Sequence, residues 1–297
     1  MKNLFALSAL ALALNFGAGV LPVEDLTVVP TTAVAYAEAL EEITEVGMGY
    51  PPAGKPIGQG MILARRAAIV DAQRNLVGRI KSTSIDANTN VEDAIAQSDF
   101  VRAKISGMIR GARVVSEEQL ANGAYQVVMS VPACGVGSVA DVAISQKLQN
   151  EGVAAPRPVP APSPAAVNSY TPAPQATMGA GYTGIVIDAR GTALVRTYCP
   201  VIYDTNGRAI YGVHNVDRNF AISQGVVEYA EGAASWQQMG MGNSRAGSNP
   251  LIVSVVSLKE RCVNKCDVII SVADADKILI ENQRSGMLNR YAVVFSK

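Results

Sequence analysis

The sequence predicts an α+β fold in two units, and three observations carry that expectation. Gln59–Lys81 repeats apolar residues at helical spacing, with Leu63, Ala67, Val70, Val77 and Ile80 at intervals of three, four and seven. Ala124–Pro132 follows an Asn-Gly pair and reads as the returning strand of a hairpin. Leu251–Leu258 and Cys266–Val272 are apolar, β-branched runs of strand length, separated from the first unit by a Pro- and Ala-rich stretch.

In the first unit, Glu42–Gly49 alternates Ile43 and Glu45 against Thr44, Val46 and Met48 as a short strand does. Tyr50–Gly60 holds three prolines and three glycines and is a loop. On the helix that follows, Arg65, Arg66, Arg74 and Lys81 fall largely off the apolar stripe, the pattern of a helix lying on a sheet. Thr83–Asn90 reads as a short strand or an irregular connection. Phe100–Glu118 fits two periods. Val101, Ala103, Ile105, Gly107 and Ile109 alternate as a strand; Val101, Ile105, Met108, Ile109 and Ala112 recur as a helix. Gly107 and Gly111 would each cost a helix about 1 kcal/mol, and Val114-Val115 favours extended backbone, so a long strand is expected. Its partner is Ala124–Pro132, giving strand, helix, hairpin. One helix covers one face of such a sheet, and its edges and second face invite association with another copy or another protein.

The segments Ala64–Leu76 (ARRAAIVDAQRNL), Ile105–Glu117 (ISGMIRGARVVSE) and Tyr125–Val131 (YQVVMSV) resemble the LPP-twenty lipoprotein family of bacterial envelopes, a pattern shared with the amino-terminal domain of flagellar assembly protein T. The resemblance implies a periplasmic or surface protein with a dodecin-like strand-helix-hairpin unit. It also implies a non-enzymatic structural or protein-interaction module of the envelope, in flagellar or surface assembly. A second implication is a site for a flat aromatic, flavin-like ligand between subunits. The family's members carry a lipidation cysteine, and this chain has none near the expected cleavage site.

Asn150–Tyr182 has prolines at 156, 158, 160, 162, 164, 172 and 174, the composition of a semi-rigid spacer. In the second unit Thr183–Asp188 and Pro200–Tyr203 read as extended. Asp204–Gly207 turns the chain into Arg208–Gly212, Ala273–Gln283 is a helix stopped near Gly286, and Tyr291–Phe295 is a closing strand. At the other end, Met1–Asn3 is a short positive end and Leu4–Leu21 an apolar run. Ala33–Ala35 and Ala35–Ala37 both fit a small-x-small cleavage site. The expected layout is a signal peptide at 1–37, an LPP-twenty-like α+β domain at 38–149, a linker at 150–182 and an α+β domain at 183–297. Export to the periplasm, envelope or surface follows, with no membrane-spanning helix after removal of the leader.

Lys+Arg and Asp+Glu are both 25. Glu38–Asn150 has eleven basic and twelve acidic side chains, and Thr183–Lys297 twelve and ten, so no basic stripe and no nucleic-acid partner are expected. An envelope protein or another copy of the chain is the expected partner. Four cysteines, Cys134, Cys199, Cys262 and Cys266, permit two disulfides in three pairings. Cys262 and Cys266 could join only across a turn at Val263–Lys265. Arg102, Lys104, Arg110 and Arg113 form a candidate interaction face, with a solvated sheet face as the plainer explanation.

Catalytic chemistry is sparse. His214 is the lone histidine and lies in a loop without a nucleophile motif, so it reads as a solvated side chain rather than a general base. Asp274 and Asp276 resemble an acid–base pair, yet a helix start explains them as dipole-stabilising carboxylates. Gly135-Val-Gly137-Ser-Val-Ala140 has dinucleotide-turn spacing, but the Pro-rich stretch beyond it cannot supply the second strand. Gly240–Gly247 lacks a following P-loop lysine and reads as a loop. No catalytic residue, cofactor or metal site is assigned.

Overall fold

The structure, a computed structural model, describes residues 42–153, 155–164, 181–231 and 245–297. The expected signal peptide, the later part of the linker and most of Gly240–Gly247 lie outside the described residues. The described residues all belong to one compact unit of mixed α+β structure.

The amino-terminal sheet has the order β1-β3-β2, from β1 (Glu42–Gly49), β2 (Arg113–Gln119) and β3 (Tyr125–Pro132), all antiparallel. β1 pairs with β3 along its whole length, from Glu42 opposite Pro132 to Gly49 opposite Tyr125. The expected hairpin forms: Gly123 has φ +82°, and the Asn122 side chain accepts from Ala124 N.

Helix α1 (Ile57–Lys81) lies over this sheet, but of the apolar stripe only Ile80 is fully buried. Its buried row is Gly60, Ala64, Ala68, Ala72, Leu76 and Ile80, while Leu63, Ala67 and Val70 are exposed. The cause is in β1. A Cβ on Gly47 would stand 2.1 Å from the Ala68 carbonyl oxygen, and one on Gly49 2.0 Å from that of Ala64. Two glycines let the helix backbone settle onto the strand, and at that separation only alanine fits between them.

The expected long strand over Phe100–Glu118 is corrected. Helix α2 (Val91–Gln97) is followed by α3 (Asp99–Arg110), and only then by β2. Asn90 and Asp93 form a capping box on α2, and the Ser98 hydroxyl accepts from Val101 N to start α3. Val101 and Ile105 are buried together, whereas a Cβ on Gly107 would meet nothing within 4 Å, so that glycine sits on an outer face. Capping and two buried contacts outweigh the glycine penalty. The unit is therefore not the bare strand-helix-hairpin of the dodecin-like expectation.

Helix α4 (Val139–Asn150) follows Ser138, whose hydroxyl accepts from Asp141 N. The carboxyl-terminal half holds two four-stranded sheets. One has the order β7-β11-β4-β8, all parallel, from β4 (Gly184–Asp188), β7 (Glu228–Ala230), β8 (Pro250–Ser254) and β11 (Val293–Ser296). The other has the order β6-β5-β10-β9, from β5 (Ile202–Asp204), β6 (Ala209–Tyr211), β9 (Ser257–Leu258) and β10 (Val268–Ile270). β5 and β6 form the expected hairpin, closed by Gly207 at φ +81°. Helix α5 (Arg218–Gln224) lies between β6 and β7; α6 (Val272–Ser285) begins at a Ser271 cap and ends at Gly286 in the left-handed region.

The two halves share one hydrophobic core. The loop 82–90 joins them through backbone bonds, Cys199 N to Ile85 O at 2.8 Å and Asn264 N to Ala87 O at 2.8 Å. Residues 155–164 do not stand off as a spacer: Arg157 N donates to His214 O, and Ser163 N to the Asp276 carboxylate at 2.9 Å. Among the described residues, no helix is long and apolar enough to cross a membrane.

Candidate functional site

Four charged or titratable groups form a relay across three elements. Asp86 sits in the loop before α2 and accepts from the amides of Asn88 and Thr89, both at 2.9 Å. Lys147 of α4 lies 2.5 Å from Asp86 and 2.8 Å from Glu151, one helical turn on. Glu151 in turn meets His214 Nε2 at 2.8 Å. His214 stands in a 3-10 turn, Val213–Asn215, after β6.

Burial raises the Asp86 carboxyl, but the Lys147 ammonium and the two amides outweigh it and leave Asp86 below the usual carboxylate range. Burial likewise pulls Lys147 down, and its bonds to Asp86 and Glu151 more than reverse this. His214 goes the other way. Burial holds it below the ordinary imidazole value, against the pull of Glu151 and with the push of Arg157 and Lys147. Its buried Nδ1 has no hydrogen-bond partner among the described residues, so a proton there would have nothing among them to donate to.

A cavity of about 90 Å³ opens beside the relay, lined by Ile85, Thr89, Ala94, Gln97 and Gln146 among others. Pockets for drug-sized ligands start at roughly 300 Å³, so this cavity is too small for a flavin-like ring system. The relay was not singled out in the sequence. Its signals were the Asp86-Ala-Asn-Thr turn and the four-residue spacing of Lys147 and Glu151.

The other sequence candidates disperse. Arg102 pairs with Asp99 at 2.7 Å and Lys104 lies over the Phe100 ring, both on α3. Arg110 ends α3, and Arg113 is on β2, 2.5 Å from Glu42. With α3 helical, these four do not share the sheet face that the strand reading gave them. Asp274 bonds the Ser271 hydroxyl at the start of α6, whereas Asp276 is buried and receives Arg208 at 2.8 Å. They are not a pair. At the dinucleotide-like turn, Asp141 accepts from Gly137 N and pairs with Arg218, so a carboxylate of the chain itself occupies the helix start. Cys199, Cys262 and Cys266 are thiols, so the structure forms none of the permitted disulfides through them; Cys134 is half-buried. Burial pushes the Cys199 and Cys266 thiols far above the ordinary cysteine range. Among the described residues no cluster of His, Cys, Asp or Glu could hold a metal.

Two surfaces stand out instead. All seven residues of the edge strand β2 are exposed, Val114 and Val115 included. A register shift between Val114 and Ser116 leaves Val115 without an opposite residue on β3. The flanking charges are drawn aside, Arg113 toward Glu42 and Glu117 toward Arg65 at 2.7 Å. The second surface is the outer side of α1. Lys55–Lys81 carries six basic residues and one acid, Asp71, a concentration that the balanced half-chain totals conceal.

No curated protein matches the chain. Residues 184–296, which span both carboxyl-terminal sheets, match the family model described as Treponema pallidum Tp0624, second domain. Residues 32–132, which end with β3, match the LPP20 lipoprotein family model.

Proposed function

We propose that this is a cell-envelope protein that acts by contact rather than turnover, associating through β2 with another copy of itself or with an envelope protein in surface assembly. The LPP20 match supports the envelope location. The observation that carries the association is β2 itself, an edge strand exposed along all seven residues, with Val114 and Val115 uncovered. Its outer edge is a row of backbone donors and acceptors open to a further strand. Natural edges are usually blunted by charge; here Arg113 and Glu117 are engaged within the chain, and the remaining charge, Glu118, lies toward the far end of the strand from Val114 and Val115.

Cross-linking and sedimentation of the full chain test this. The expected result is an oligomer, or a retained envelope protein, that is lost in Val115→Lys. A strict monomer that captures nothing, or an assembly indifferent to Val115→Lys, would sink the reading.

A further inference from the structure

The outer side of α1 points to a second activity, independent of β2. The buried row of this helix advances by four residues, Gly60, Ala64, Ala68, Ala72, Leu76, Ile80. At 3.6 residues per turn, the row two positions on lies about 200° round the axis. That opposite row is Ile62, Arg66, Val70 and Arg74, an alternation of branched apolar and guanidinium side chains along the outermost ridge. Ile62 is 58 % exposed and Val70 55 %, and Ile57 at the helix start is 87 % exposed.

The charges around this ridge are nearly all of one sign. Asp71 is the only acid between Lys55 and Lys81, and it is turned inward, accepting from Met48 N at 3.0 Å. Arg65 is occupied by Glu117. Arg66 ion-pairs with no carboxylate among the described residues, and Arg74 reaches only Asp71, at 3.8 Å. α1 is also the outer layer of its half, with the sheet on one side and this ridge on the other.

We propose that the outer ridge of α1 binds the surface of an anionic lipid bilayer. The exposed Leu63, Ala67 and Val70 hold the spacings of four and three that a protein groove reads on a helix. Arg66 and Arg74 stand beside them, however, and a groove that took this face would have to bury both guanidiniums. At a lipid surface the same alternation is favourable. Ile62 and Val70 enter the boundary of the acyl chains, while Arg66 and Arg74 extend to the phosphates with their stems on apolar surface. Each arginine near an anionic leaflet adds to binding, and the attraction weakens within a Debye length as salt is raised. The helix spans about 37 Å and lies flat on its sheet, so the ridge meets a planar surface along its length.

The test uses the full chain and vesicles of phosphatidylcholine, with and without phosphatidylglycerol, read by co-sedimentation. Binding is expected only to the phosphatidylglycerol vesicles, and it should fall steeply with added salt. Arg66→Gln with Arg74→Gln should weaken it about tenfold or more, and Ile62→Ser with Val70→Ser should weaken it at unchanged charge. These side chains are exposed, so circular dichroism and the melting temperature should match the parent and confirm that the variants fold. Equal binding to both vesicle types would overturn the proposal, as would no binding to either or a variant that binds like the parent. Retention of an acidic envelope protein through Arg66 and Arg74, without vesicle binding, would overturn it in favour of a protein partner.

Discussion

Gly47 of β1 lies against the backbone of Ala68: a Cβ on Gly47 would stand 2.1 Å from the Ala68 carbonyl oxygen and 2.2 Å from Ala72 N. Both obstructing atoms are helix backbone, which cannot rotate away as a side-chain tip can. Gly47→Ala should therefore force α1 off the sheet and lower stability by about 3 kcal/mol, the upper end for overpacking. Gly78→Ala is the contrast, because Gly78 is inside the same helix with nothing within 4 Å of its built Cβ. It should raise stability by about 0.5–1 kcal/mol through reduced chain entropy. Denaturant unfolding of the two variants beside the parent measures both signs at once.

That contact also explains what the sequence could and could not reveal. A helix over Gln59–Lys81 was legible because twenty-odd residues hold one period without an interior proline. Which side it buries was not, since the larger apolar residues Leu63 and Val70 mark one face and the alanines another. Only the partner strand, with glycine at 47 and 49, decides for the alanines. The same gap hid α3. Two glycines argued against a helix; the Ser98 cap, a local signal, and the burial of Val101 and Ile105, a tertiary fact, overrule them. Hairpins with explicit turn residues, Asn122-Gly123 and Asp204–Gly207, were readable locally. Parallel pairing was not, because β4, β7, β8 and β11 meet only through long connections. The relay shares this character, because Asp86 and His214 lie about sixty residues to either side of the neighbouring Lys147 and Glu151.

His214 sets a pH dependence with a definite sign. Burial holds its imidazole below the ordinary value near 6.5, opposed by Glu151 and aided by Arg157 and Lys147. From about pH 6.5 down to the lower folded value, the unfolded chain takes up a proton that the folded chain refuses. Stability is then present above pH 6.5 and is lost as the pH falls through that window, by at most about 1.4 kcal/mol per pH unit. Asp86 is held below its ordinary range, so its own contribution disappears only at more acid pH. Denaturation midpoints between about pH 7.5 and 5.5 should fall in the parent. In His214→Gln, which retains a donor toward Glu151, they should stay flat across that window. A parent profile that is level, or that rises toward pH 5.5, would contradict the half-buried, unprotonated imidazole.

Asp274 and Asp276 stand two apart in the sequence and should respond very differently to removal. Asp276 is buried and gathers three elements. Its carboxylate accepts from Arg208 at 2.8 Å and from Ser163 N at 2.9 Å, while Arg208 also bonds Asp204 at 2.9 Å and the Ala161 carbonyl at 3.3 Å. Burial works to raise this carboxyl, yet the bonds from Arg208 and Ser163 leave it below the usual range. Asp276→Ala leaves a half-buried guanidinium with one carboxylate fewer and an amide without its acceptor, at a cost of about 3 kcal/mol. Among the described residues, the Asp274 carboxylate meets the Ser271 hydroxyl alone, at the half-buried start of α6, where the same hydroxyl accepts from Asp274 N. Asp274→Ala should cost about 1 kcal/mol or less. Hydrogen exchange separates the two, because Ser163 N–H is held by Asp276 itself and Arg157 N–H by His214 O nearby. In Asp276→Ala the 155–164 segment should exchange faster, at Ser163 first. In Asp274→Ala its protection should equal that of the parent, and equal protection in both variants would mean that Asp276 does not fasten this segment.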